Sequence, residues 1–300
     1  MMTSCLVPVI LGPTGVGKTR VAFELALALG GEIVVADSRQ VYRDLSVGSN
    51  QPGPELRGRV RYHLLEVADP HQPFSLGDYL PLARAAIHEV AARGHLPIVE
   101  GGSMLYVQAL CDGSTLGNVP PDPDLRRSLQ HSSAAELRAM LEDLDPNSGV
   151  DLSNPPRMIR AIELLRAMGP PLTRLRQRQP PPWRSIPIGL YADPNDLVSG
   201  LEERSRQMVA DGLVAETAAA LAAGVRADSQ ALTGIGYREA VAYLQGALPE
   251  ADLVTTITRS TRRYARRQLS WWRRDPNVTW FGAAPGRFES ILQTIKDHLI

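Results

Sequence analysis

Short apolar runs alternate with helical periodicity along most of this chain. Val7 to Leu11 is a continuous apolar run, the pattern of a buried strand. Val21, Leu25 and Leu29 follow at helical spacing until Gly30-Gly31 ends the helix. Glu32 to Ala36 reads as a second buried strand, Arg61 to Val67 as another closed by Asp69-Pro70, and His95 to Val99 as a further one. Ser75 to Asp78 resembles a capping box for a helix from Tyr79 to Arg93, which Gly94 ends. Strands and helices in turn predict an α/β fold, a parallel sheet flanked by helices.

The pattern changes after Asp112. Pro120-Pro121-Asp122-Pro123 opens a stretch that Pro180-Pro181-Pro182 closes, with helical patterns at Ala134 to Leu144 and Arg157 to Met168. This predicts an all-helical insertion, residues 115–182, in a core made of residues 1–114 and 183–300. Ile186 to Tyr191 returns to the sheet. Leu197 to Leu221 reads as one long amphipathic helix, and Thr233 to Arg238 as a tight loop entering another. Asn277 to Phe281 reads as a last strand and Arg287 to Ile300 as a closing helix.

Composition narrows the class. The chain has 300 residues, is 44% hydrophobic and carries no net charge. No run of about 18 apolar residues is present, so no membrane span is expected. The N-terminus has no secretory pattern, which makes a cytoplasmic location the expectation. Cys5 and Cys111 are too few for a disulfide framework or a zinc site.

The first strand and helix are joined by Gly12-Pro13-Thr14-Gly15-Val16-Gly17-Lys18-Thr19, a G-x-x-x-x-G-K-T phosphate loop in its required context. Its glycines let backbone N–H groups close around phosphate oxygens at a helix N-terminus. Lys18 is one of only two lysines, the other being Lys296, and stands where a compact ammonium suits phosphate. Thr19 offers a hydroxyl to Mg2+. Asp37-Ser38 end the second strand, so Asp37 should face the same crevice. It reads as a general base, a Mg2+ partner or a helix cap. Gly101-Gly102 permit close backbone approach to a ligand, and Ser103 could give a hydroxyl to phosphate or simply begin a helix.

Two segments are rich in arginine. Arg157, Arg160, Arg166, Arg174, Arg176 and Arg178 follow Pro156 with one acid, Glu163, among them. They read as a polyanion-binding surface or a solvated face. Arg259 to Arg274 holds seven arginines and no acid. Arg259, Arg262, Arg263, Arg266 and Arg267 share one broad helical face, and Tyr264, Trp271 and Trp272 offer stacking surfaces. That combination suits RNA or a diphosphate clamp.

These residues resemble the bacterial tRNA dimethylallyltransferases, the isopentenyl-tRNA transferases, from near the start of the chain to Phe281. The matching motifs are G-P-T-G-V-G-K-T at 12–19, D-S-R-Q-V-Y-R at 37–43, H-L-L-E-V-A-D-P at 63–70, G-G-S-M-L-Y at 101–106, P-R-M-I-R-A-I-E at 156–163, G-I-G-Y-R-E at 234–239 and T-R-R-Y-A-R-R-Q-L-S-W-W-R at 261–273. The resemblance implies a P-loop NTPase-like core used for prenyl transfer. Dimethylallyl diphosphate would be the donor and N6 of the adenosine 3′ to the anticodon the acceptor, in tRNAs reading codons that begin with U. Residues 12–19 would hold the diphosphate, with Ser103 near the donor, and Thr19 would bind Mg2+. Asp37 would accept the N6 proton and Arg238 would grip the diphosphate. Asp37, Ser38, Gln40 and Val41 would surround the adenine. The insertion, with Arg157 and Arg160, and the arginines 262, 263, 266 and 267 would hold the anticodon stem-loop, on a monomer. Three departures stand out: Glu100 where an apolar residue is usual, Gln51 where a lysine is common, and Thr233-Gly234 in place of a Gln or Arg and a small residue. The other readings are a P-loop nucleotide or metabolite kinase, a transferase acting on free adenine nucleotide, and a non-enzymatic RNA-binding module.

Overall fold

The computed structural model describes residues 5–113, 119, 122–175 and 180–299. In chain order the elements are β1 (Cys5–Leu11), α1 (Lys18–Leu29), β2 (Gly31–Val35), α2 (Pro54–Arg57), β3 (Tyr62–His63), α3 (Leu76–Ala92), β4 (Leu96–Glu100) and α4 (Met104–Asp112). Next come α5 (Pro123–Gln130), α6 (Ala134–Leu144), α7 (Pro155–Met168), α8 (Leu172–Leu175), β5 (Trp183–Leu190), α9 (Pro194–Ala210) and α10 (Leu213–Ala222). The last are α11 (Tyr237–Leu244), α12 (Glu250–Trp272), β6 (Thr279–Phe281) and α13 (Arg287–Leu299).

Among the described residues, six strands form one parallel sheet in the order β3-β2-β4-β1-β5-β6. The expected α/β fold is present. Val21 and Leu25 of α1 and Ile291 and Ile295 of α13 pack in one core with Ile33, Ile98 and Ile186 of the strands. The order puts β4 between β2 and β1, so the residues that end these three strands meet at one edge of the sheet.

The chain divides into two compact units, residues 109–181 and the remainder. The smaller is helical, around Leu137, Leu141, Met158, Ile162 and Leu165. Its buried Glu163 accepts from both Arg126 and Arg160, and from the backbone N–H of Asp122 at 2.6 Å.

Several expectations changed. The strand expected over Arg61 to Val67 pairs only at Tyr62 and His63, because Leu64 and Glu66 take left-handed backbone angles that end the ladder. The single helix expected from Leu197 to Leu221 is two, broken at Asp211-Gly212, where Gly212 has φ of 102°. α2 and α5, which the periodicity did not predict, start at prolines; proline is pre-set for the first helical turn. The capping box at Ser75 and Asp78 is formed.

Candidate active site

The phosphate loop leaves β1 at Leu11 and enters α1 at Lys18. At Gly12, with φ of 141°, an added Cβ would lie 2.5 Å from the carbonyl oxygen of Leu190, so the loop passes close over the end of β5. Gly17 caps α1 without a side-chain hydrogen bond, which leaves the first amides of the helix to a ligand. Lys18 is 8% exposed, and its Nζ donates to the Pro13 carbonyl at 3.1 Å. Burial pushes the Lys18 pKa down, while the charges of Glu100 and Asp37 pull it up.

Asp37 follows β2, and its Oδ1 accepts from the backbone N–H of Arg39 at 2.8 Å. That bond orients the carboxylate and leaves Oδ2 to other uses. Glu100 ends β4, is 5% exposed, and accepts from the Thr19 hydroxyl at 3.2 Å. Burial raises the Glu100 pKa, with Lys18 opposing and Asp37 adding to the rise. Arg204 of α9 faces both carboxylates; burial lowers its pKa and their charges oppose the fall. Thr19 and the carboxylates are hard oxygen donors, the kind Mg2+ takes.

The buried face of α12 closes the site. Gln268 is fully buried; its Oε1 accepts from Thr14 N–H at 2.8 Å and its Nε2 donates to the Gly102 carbonyl at 2.7 Å. The Tyr264 hydroxyl donates to the same carbonyl at 3.0 Å. The paired glycines serve this packing: a Cβ on Gly101 would lie 2.1 Å from the Ala36 oxygen, and one on Gly102 2.7 Å from Gln268 Nε2. They let β2 and α12 approach.

Two cavities open here. One, of about 650 Å3, runs along Thr14, Gly15, Gly17, Lys18 and Thr19, with Phe23, Pro52 and Leu56 as apolar wall and Gln40 beside them. The other, of about 350 Å3, is bordered by Ser38, Thr233, Ile235, Arg238, Tyr264 and Arg267. Thr14, Asp37, Ser49 and Arg204 line both. The two spaces therefore meet at Asp37.

The other expected site residues are placed as follows. Gly12, Pro13 and Val16 shape the loop and line neither cavity. Ser103 also lines neither; its hydroxyl accepts from Ser38 N–H at 2.7 Å and donates to Ser38 Oγ at 3.1 Å, which ties β4 to the Asp-Ser turn. Val41 is fully buried. Arg238 lines the second cavity, and its Nε donates to Glu239. Arg262, Arg263 and Arg266 are exposed on the outer face of α12, and Arg267 stacks over Tyr264 at 5.6 Å. Trp272 is 3% exposed, so it is core and offers no stacking surface.

In the helical unit, Arg157 pairs with Asp151, and Arg160 is held by Glu163 and the Val119 carbonyl. Arg160 is thus part of the buried Glu163 cluster. The side chain of Arg174 and all of Arg176 and Arg178 lie outside the described residues. Gln51 donates to the carbonyls of Gln40 and Tyr42.

Sequence reading missed Arg204 and Gln268 as site residues. Each had a signal. Arg204 interrupts the apolar register Leu197, Leu201, Met208, and Gln268 interrupts Ile257, Thr261, Ala265, Trp272.

Comparison with known proteins identifies the family. Residues 40–275 match the family model described as IPP transferase. A protein of Thermomicrobium roseum named tRNA dimethylallyltransferase is 40% identical over 97% of this chain and 90% of its own. One of the same name from a Roseiflexus species is 39% identical over 95% and 96%. The crystal structure of a full-length tRNA isopentenylpyrophosphate transferase from Bacillus halodurans superposes with a TM-score of 0.75 at 33% identity, covering 99% of this chain and 97% of that one. A eukaryotic dimethylallyltransferase described as acting on tRNA shares the fold, with a TM-score of 0.83 at 22% identity over 98% of this chain and 78% of its own.

Proposed function

This chain belongs to the IPP transferase family, and we propose that it transfers a dimethylallyl group from dimethylallyl diphosphate to N6 of the adenosine 3′ to the anticodon, in tRNAs reading codons that begin with U. The observation that carries this reading is the meeting of two cavities at Asp37, one built for phosphate and the other open towards the arginine-bearing helix α12.

The diphosphate fits the first cavity. The amides at the start of α1 and the Lys18 ammonium face its oxygens, and Phe23, Pro52 and Leu56 offer apolar surface to a prenyl tail. Those walls also keep water from an electron-deficient allylic carbon. The adenine fits the second cavity, beside Ser38 and Tyr264. A base in an anticodon loop reaches such a pocket only when extruded, which costs a few kcal/mol. Phosphate contacts to the exposed arginines of α12 offset that cost.

In the transfer, the bond between the allylic carbon and the diphosphate oxygen breaks as the bond from N6 to that carbon forms. N6 then carries an extra proton, and Asp37 Oδ2 takes it. The Arg39 N–H holds the other oxygen in place meanwhile. Arg204, next to Asp37 and Glu100, balances charge as diphosphate leaves. When bound, Mg2+ supplies charge neutralisation to the leaving diphosphate, with Thr19 among its ligands. The protein acts as a monomer.

The test is incubation with Mg2+, dimethylallyl diphosphate and unmodified tRNA reading UNN codons, followed by digestion and nucleoside mass analysis. Dimethylallyl-adenosine in the tRNA is the expected product. In parallel incubations, phosphoryl transfer from added ATP with no modified nucleoside in the tRNA reaction would establish a kinase instead, and prenylation of added AMP but not of tRNA would move the acceptor.

A further inference from the structure

We propose that Glu100 and Thr19 together hold a divalent cation in the free protein, before any diphosphate arrives. The inference rests on the reading of the first cavity as a diphosphate site.

Glu100 ends β4, the strand between β1 and β2, so it emerges between the phosphate loop and Asp37. It lines the larger cavity yet is almost wholly buried. A carboxylate removed from water needs a cation or several donors. Among the described residues it has one hydrogen bond, from Thr19, and no basic group within 4.0 Å. Lys18, whose charge acts on Glu100, gives its hydrogen bond to the Pro13 carbonyl. The buried carboxylate therefore has a single hydrogen-bond donor, with the charges of Lys18 and Arg204 acting on it from beyond ion-pair distance, and it lines the cavity.

The charge around the cavity points the same way. Its lining carries Lys18, Arg20 and Arg204 against Glu24, Asp37 and Glu100, so the formal charges cancel. Arg20 and Glu24 are already paired with each other. A wall with no net charge gives a polyanionic diphosphate little attraction by itself. A divalent cation seated there first would supply it. The geometry suits a small hard ion: Thr19 Oγ1 and Glu100 Oε1 are 3.2 Å apart. Adjacent ligands of an octahedral ion with metal–oxygen bonds of about 2.1 Å stand about 3.0 Å apart. Hydroxyl and carboxylate thus already span roughly one edge of such a shell.

The order of binding follows. Cation occupies the free protein, and diphosphate then joins it as a further oxygen ligand. Without the Glu100 carboxylate, the cation would arrive only together with diphosphate.

The probe is Mn2+ alone, titrated into full-length protein and followed by the electron paramagnetic resonance of the free ion. Wild type should bind one Mn2+ per chain without diphosphate. Glu100→Gln, nearly the same shape, should weaken that binding at least tenfold. Thr19→Val, which keeps the carboxylate, should weaken it as well, and it carries the test if Glu100→Gln fails to fold. Mn2+ affinity unchanged in Glu100→Gln, or no Mn2+ bound by wild type without diphosphate, overturns the inference. Its failure is separable from that of the proposed function. A protein that prenylates tRNA but binds Mn2+ independently of Glu100 refutes the cation site alone. One that binds Mn2+ through Glu100 but leaves tRNA unmodified refutes the transfer.

Discussion

Replacing Gln268 with Ala should damage the phosphate loop from behind without touching tRNA. The side chain is fully buried and makes two hydrogen bonds, from Thr14 N–H and to the Gly102 carbonyl. Each is worth about 1 kcal/mol net. Gly102 keeps the donation from Tyr264, and Thr14 lines both cavities, where water can reach its N–H. Full desolvation penalties are therefore not incurred, and a small void adds the rest. The expected loss of stability is about 2–3 kcal/mol, or roughly 5–10 °C in melting temperature for a unit of this size. Freeing the backbone of one loop residue costs about 1–2 kcal/mol to undo on binding, so affinity for inorganic diphosphate should fall roughly tenfold. Gln268→Glu separates the two bonds: it still accepts from Thr14 but sets a carboxylate against the Gly102 oxygen. Differential scanning fluorimetry and diphosphate calorimetry read both effects. A Gln268→Ala protein that melts within 1 °C of wild type (~0.5 kcal/mol or less) and binds diphosphate within about twofold would show that Gln268 does not hold the phosphate loop.

Other outcomes follow from the same geometry. Arg262→Ala with Arg266→Ala should weaken tRNA binding and lower the slope of log affinity against log salt by about 0.7–0.9 for each phosphate that is no longer neutralised; an unchanged slope would place that face outside the tRNA interface. Arg204→Ala should slow transfer with tRNA affinity unchanged in filter binding, because it lines both cavities beside Asp37; equal rates would place it outside the chemistry. Glu163→Gln should destabilise the protein by about 2–3 kcal/mol at neutral pH, since two arginines lose a buried partner. Although burial alone would raise the Glu163 pKa, Arg126, Arg160 and the Asp122 N–H hold it below the usual 4.5. Its contribution is therefore complete above that value and lost as pH falls through the folded pKa. The gap in melting temperature between wild type and Glu163→Gln should narrow below pH 4.5, and a gap constant down to about pH 3 would contradict this.

Much of the fold was legible because strand and helix periods and glycine–proline punctuation are local signals. The phosphate loop announced itself for the same reason, since residues 12–19 are contiguous and chemically specific. What escaped was long-range. Leu64 and Glu66 look like strand residues, and only the packing around them sets their left-handed backbone. Gly101 and Gly102 read as ligand-facing, and Gly102 does line the larger cavity, but nothing local reveals that Ala36 and Gln268 press against the pair. The arginines misled most. Arg160 and Arg166 look equivalent in sequence, yet Arg160 is held by a buried glutamate. Tyr264 and Trp272 look alike in sequence as stacking surfaces, yet Tyr264 borders the second cavity and Trp272 sits in the core.

Transfer turns on Asp37, where the two cavities meet, and one rate tests its role. Asp37→Asn keeps the side-chain oxygen that accepts from Arg39 N–H but removes the base. Single-turnover transfer from dimethylallyl diphosphate to bound tRNA, read by nucleoside mass, should slow by roughly 10²–10⁴, with the tRNA dissociation constant within about twofold of wild type. Transfer at near wild-type rate by Asp37→Asn would contradict the assignment of this carboxylate as the acceptor of the N6 proton.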